Sequence, residues 1–86
     1  VASIDEITSQ LRSVVSSADE AVSEAGGAIS ETEQFIAQAN AMNAEGLAAD
    51  LAVVKSTIES GLAQITAAIA TIDEAITQAD QARGRT

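Results

Sequence analysis

The chain has no cysteine, proline, histidine, tryptophan or tyrosine, and only one phenylalanine, among its 86 residues. Without cysteine there is no disulfide to brace a small fold and no thiolate to hold a metal. Without histidine and cysteine the usual general bases and nucleophile pairs are missing, and the hydroxyls have no base beside them. Bases are scarce as well: four face thirteen acids, for a net charge of −9. So acidic a chain lacks the Lys/Arg footprint for nucleic acid and is repelled by anionic lipid, so no nucleic acid and no membrane is expected as a partner. The first reading of the acidity is solubility. No run of about 18 apolar residues is available to cross a bilayer. The opening VASIDEIT has neither the basic start nor the apolar block of a secretory signal. The expectation is a cytoplasmic protein, or one secreted by a route without a cleaved signal peptide.

What is abundant is alanine, the best helix former, at roughly a fifth of the residues. Ser3-Ile4-Asp5-Glu6 matches a capping box. Apolar or small residues then recur at Ile4, Ile7, Leu11, Val14, Ala18, Ala21, Ala25, Ala28, Thr32, Phe35, Ala39 and Met42. The spacing alternates three and four, a heptad seam whose two columns are called a (from Ile4) and d (from Ile7). Gly26-Gly27 falls on the outward b and c positions, where each Gly costs about 1 kcal/mol relative to Ala. The pattern resumes at Leu47 and runs through Leu51, Val54, Ile58, Gly61, Ile65, Ala68, Ile72, Ala75, Ala79 and Ala82. Gly84 sits where a C-terminal cap belongs, with Arg83 and Arg85 near the negative end of the helix dipole.

Between the two segments, Asn40, Asn43 and Gly46 are poor interior helix residues, and Asn43 is suited to cap the second helix. Folding the seams together supports a reversal near positions 44 and 45. The a residues then pair as Leu11–Ala79, Ala18–Ile72, Ala25–Ile65, Thr32–Ile58 and Ala39–Leu51, with a small residue facing a large one in every layer. The sequence thus predicts an all-α fold, one helical-hairpin domain over 1–86: a helix over about 4–42, a turn over about 43–46 that includes Asn43 and Gly46, and a helix over about 47–83.

A third apolar column lies one residue past d. It comprises Val15, Val22, Ile29 and Ile36 in the first helix, and Leu62, Ile69 and Ile76 in the second. With a and d facing inward, this e column is the expected interaction face. Its seven aliphatic side chains would leave several hundred Å² of apolar surface uncovered, more than a lone monomer usually tolerates. A two-helix hairpin also has little core of its own. The expected remedy is a homodimer or a heterodimer with another helical protein, either of which completes a four-helix bundle. No catalytic, cofactor-binding or metal-binding residues are expected. Asp5-Glu6, Asp19-Glu20 and Asp73-Glu74 point outward, Glu20 and Glu24 read as solvated charge, and Lys55 reads as a snorkelling flank residue.

A small, acidic, Ala-rich, Cys-free hairpin with its turn and a Gly at mid-chain resembles the WXG100 (ESAT-6-like) family over the whole length of the chain. The resemblance implies a hairpin that pairs into a four-helix bundle and travels through a bacterial type VII secretion system, with a toxin or a sister hairpin. Where the family carries Trp-x-Gly this chain has Ala44-Glu45-Gly46, so only Gly46 corresponds. The family's Tyr-based export signal has no counterpart, since the chain has no Tyr. A diverged relative that rides on a partner's signal and an unrelated hairpin with convergent packing both fit these departures. The functional expectation is a non-enzymatic interaction module that dimerises or escorts a larger helical partner, with a self-assembling subunit of a helical polymer as the alternative.

Overall fold

The structure is a computed structural model that describes residues 3–85. Two long helices make up the molecule, α1 over Ile4–Ala41 and α2 over Glu45–Arg85, folded back on each other. The result is a rod of 66 × 17 × 14 Å. Helix α1 starts where the capping box begins: Ser3 is extended, and its hydroxyl accepts from the Glu6 amide at 3.1 Å. That bond satisfies one of the amide donors that every helix start leaves over. Gly26-Gly27 does not interrupt the helix.

The reversal occupies Met42, Asn43 and Ala44, so the turn expected over about 43–46 starts one residue earlier and ends two residues earlier. Asn43 takes the left-handed conformation, with φ 60°. The Ala44 amide donates to the Ala39 carbonyl at 2.8 Å and the Asn43 amide to the Asn40 carbonyl at 3.0 Å. Together these bonds form the Schellman closure of α1, with Asn in the place Gly usually holds. Asn43 therefore ends the first helix and does not cap the second. Ala44 takes over at the start of α2, its carbonyl accepting from the Ala48 amide at 3.0 Å. Gly46 lies inside the first turn of α2, where no positive φ is needed. Gly84 is not a cap either, because α2 continues through it. The pairing of Arg83 with Asp5 holds that last turn against α1. The side chain of Arg85 lies outside the described residues.

Three ion pairs cross the hairpin: Asp5 with Arg83, Arg12 with Asp80, and Glu33 with Lys55. Each is centred within one residue of position 45, so the two strands of the rod are in the register that the a column requires. The azimuth of the seam differs from expectation. On both helices the bulky apolar residues that are half-buried belong to columns a and e, running Leu11, Val15, Val22 on α1 and Ile58, Leu62, Ile65, Ile69, Ile72 on α2, while of column d only the small Ala21, Ala28, Gly61 and Ala82 are half-buried. The bulky d residues Ile7, Val14, Phe35, Met42, Leu47 and Val54 are exposed. Each helix is thus turned by about 50° from an a/d seam, given 100° per residue.

The cause lies in the side chains. Column d is bulky only toward its two ends, and Ala21, Ala28, Gly61, Ala68, Ala75 and Ala82 fill the rest. Column e is aliphatic without a break from Val15 to Ile36 and from Leu62 to Ile76. An a/e seam therefore buries more apolar area, and each aliphatic side chain fully buried contributes about 1.5–3 kcal/mol. Gly61 agrees with this orientation, since a Cβ built there meets nothing within 4 Å. In an a/d seam it would face Ala28.

Candidate interaction face

The seven residues expected to form the outer face, Val15, Val22, Ile29, Ile36, Leu62, Ile69 and Ile76, are half-buried between the helices. The unpartnered face is column d instead. Antiparallel helices put like columns on the same side of a hairpin, so Ile7, Val14, Phe35 and Met42 of α1 share one side with Leu47 and Val54 of α2. Met42 is 73% exposed and Phe35 50%. These are the chain's single methionine and single phenylalanine. With Leu47 and Val54 they form a cluster at the turn end of the rod. Phe and Met are residue types that favour contact surfaces, the first as a rigid anchor and the second as an adaptable one.

The opposite side of the hairpin is polar and internally paired. Arg12 Nη2 lies 3.5 Å from Asp80 Oδ2, Lys55 Nζ lies 3.7 Å from Glu33 Oε1, and Arg83 bridges Asp5 and Asp80, with Nη2 2.7 Å from Asp80 Oδ1. Arg83 is held above the ordinary arginine range, first by its hydrogen bond to Asp5 and then by the charges of Asp80 and Asp5, with burial opposing. All three bases whose side chains are described are thus engaged across the seam. Among the described side chains the d side has no base beside it. Its rim is the g column, Gln10, Ser17, Glu24, Glu31 and Gln38 on α1 and Asp50, Thr57, Gln64, Thr71 and Gln78 on α2.

The core is thin. Among the described residues only Thr8, Thr32, Ala39 and Ala48 are buried. The accessible surface is 5900 Å², whereas a compact monomer of 8.7 kDa exposes about 4,700 Å². The hairpin thus carries roughly 1,200 Å² more surface than a self-sufficient fold of its mass.

Chemistry has little to work with. No group of three or more acidic residues among the described residues is placed to hold a metal ion. A depression of about 520 Å³ is lined by Ala70, Asp73, Glu74, Thr77, Gln78 and Gln81. All six belong to α2 and run along its outer surface, so no second element walls the space and water has free access. No described helix is long and apolar enough to cross a membrane.

Fold and face together define a class: a two-helix hairpin with one side internally paired and the other apolar and uncovered. No family model, no curated protein and no solved structure matches the chain.

The register and the surplus of apolar columns are legible in the sequence, but the heptad pattern points to column e as the outer one, whereas the bulky exposed residues belong to column d. The signal available was the run of Ala and Gly through the middle of d beside the unbroken aliphatics of e. Nothing in the heptad pattern marks Thr8. It is 1% exposed, and its Oγ1 has no hydrogen-bond partner among the described residues.

Proposed function

We propose that this protein is a non-enzymatic interaction module whose d face, from Ile7 to Met42 on α1 and Leu47 to Val54 on α2, is covered by another helical surface. The observation that carries the reading is the exposure of six bulky apolar side chains on one side of a rod whose other side is satisfied by its own ion pairs. Covering those side chains contributes on the order of 1 kcal/mol or more each, which is large against the modest stability of a fold with so small a core. The shared layout with the WXG100 hairpins suggests the setting: pairing with, or escort of, a larger helical protein in a type VII secretion or toxin system.

The test is absolute mass by light scattering over a hundredfold concentration range, together with binding of a dye that lights up on apolar surface. The reading expects either a finite assembly or a single chain that binds dye along the stripe. In the first case Phe35→Asp breaks the assembly, and in the second it removes the dye signal. A single, dye-dark chain that melts cooperatively and ignores Phe35→Asp would sink the reading. Mass that grows without a ceiling would instead favour a polymer subunit.

A further inference from the structure

Bulk and charge coincide on the d side. At the turn end the two d columns carry Met42 and Leu47, then Phe35 and Val54, all large, apolar and exposed. Beyond them the columns shrink to Ala28 and Gly61. The rim follows the same division. Along the turn half the g column holds Glu24 and Glu31 on α1 and Asp50 on α2, all exposed. Along the open half it holds the uncharged Gln10 and Ser17 on α1 and Thr71 and Gln78 on α2. None of the three acids takes part in the ion pairs that cross the other side of the hairpin. Ten of the thirteen acids and one of the four bases lie between positions 15 and 75, so this part carries the whole −9 and the open end is balanced.

We infer that the occupant of the d face at the turn end is a single basic amphipathic helix of another protein. Its bulky apolar residues lie on Phe35, Met42, Leu47 and Val54, and its lysines or arginines lie against Glu24, Glu31 and Asp50. The inference rests on the reading of the d face as an interaction surface and adds the chemistry of the partner.

Geometry supplies the first half of the argument. Two helices packed side by side leave a furrow between them, and a third helix seats in it by laying one apolar face down. The two bulky levels, Phe35 with Val54 and Met42 with Leu47, are seven residues apart, about 10 Å along the rod. A helix meets two levels at that spacing with apolar residues at i, i+3 or i+4, and i+7. The Ala28–Gly61 level marks where the anchoring ends, since neither residue offers much area to bury.

Charge supplies the second half. A helix in the furrow presents its two flanks to the two rims, Glu24 and Glu31 on one bank and Asp50 on the other. The bases whose side chains are described are engaged across the opposite side, so a cation arriving at the rim displaces none of them. An acidic occupant, a second copy of this chain included, would bring carboxylates to the same rims within a screening length of about 8 Å. The concentration of charge away from the open end also steers a basic helix toward the bulky end of the stripe.

The experiment uses the full chain and fluorescent probe peptides of about 18 residues, or five helical turns. One has leucine at heptad spacing and lysine elsewhere, the second has glutamate in place of lysine, and the third scrambles the order of the first. Anisotropy should show the lysine peptide binding one to one, about tenfold tighter than either control. Phe35→Ala and Met42→Ala, both at exposed positions, should each weaken it about five- to twentyfold. Glu24→Gln, Glu31→Gln and Asp50→Asn together should weaken it about three- to tenfold at low salt, a gap that closes as salt rises. A matched triple away from the d side, Asp19→Asn, Glu20→Gln and Glu59→Gln, should leave binding within about twofold.

Equal weakening by the two triples, with no effect of Phe35→Ala, would mean attraction to net charge alone and overturn the inference. Lysine and glutamate peptides that bind alike and are both lost in Phe35→Ala would overturn the basic partner and leave the d face as an interaction surface. A stable two-chain assembly that no peptide enters would give the face to a second copy, with the same division. A one-chain protein that binds neither peptide nor apolar dye would overturn both.

Discussion

Arg12 reaches across the hairpin to Asp80, its Nη2 3.5 Å from Oδ2, and the other oxygen of the same carboxylate receives Arg83 Nη2 at 2.7 Å. One aspartate near the end of α2 thus gathers two arginines, of which Arg83 also holds Asp5 on α1. The pairs are solvent-exposed to a large degree, so their contribution is small and sensitive to screening. The value of the two that cross, Arg12–Asp80 and Asp5–Arg83, lies in register, because a slip of one helix by a turn would separate both together.

Asp80→Asn should lower the thermal midpoint by about 3 °C at low ionic strength. The difference should vanish near 1 M salt, where the screening length falls to about 3 Å. A loss that persists unchanged in high salt would mean that Asp80 acts through packing.

The turn yields a sharper prediction. Asn43 holds φ 60°, a conformation that costs an ordinary L residue about 1–2 kcal/mol. Asn43→Ala should therefore destabilise the hairpin by about 1 kcal/mol in chemical denaturation, and Asn43→Gly should match or exceed the native chain. If Ala and Gly behave alike, the Schellman closure is not what ends α1.

These details show which parts of the structure were legible in the sequence. The Ser3 cap was, because a Ser followed three residues later by Glu has one strong local use. The fold-back was also legible, because small residues oppose large ones in every a layer from Leu11–Ala79 to Ala39–Leu51. The seam's azimuth was not. Heptad counting scores Ala21 and Val22 alike as apolar, yet the energy of burial scales with area, and area favours Val22. Asn43 misled for a different reason: Asn suits both the start of a helix and the left-handed residue after one, and only the backbone path decides between them. Gly84 by itself signals a stop, but a residue-level signal for fraying yields when Arg83 is tied to the other helix.

Gly26 and Gly27 are helical, and a Cβ built on either meets nothing within 4 Å. Neither lies on the a, d or e column. Gly26→Ala and Gly27→Ala should each raise stability by about 1 kcal/mol, with no change in solution mass. Two such gains would add, because both act on the backbone entropy of the unfolded chain. A substitution here that instead changed the mass or the partner would show that the two glycines form a hinge the native chain uses.

Thr8 offers the cleanest single test of how the two helices meet. It lies on column e near the open end of the rod and is the largest fully buried side chain among the described residues. Five other threonines, Thr32, Thr57, Thr66, Thr71 and Thr77, turn their hydroxyls back onto the carbonyl four residues earlier. Thr8 Oγ1 has no such bond. A buried polar group without a partner costs about 1–3 kcal/mol, and valine has nearly the same shape. Thr8→Val should therefore stabilise the hairpin by about 1–2 kcal/mol in urea unfolding at unchanged m-value. Thr32 is the control, being also buried but already bonded to the Ala28 carbonyl at 2.7 Å. Thr32→Val should bring no gain of that size. If Thr8→Val is neutral, water reaches that hydroxyl, and the seam near Arg83 is looser than its geometry indicates.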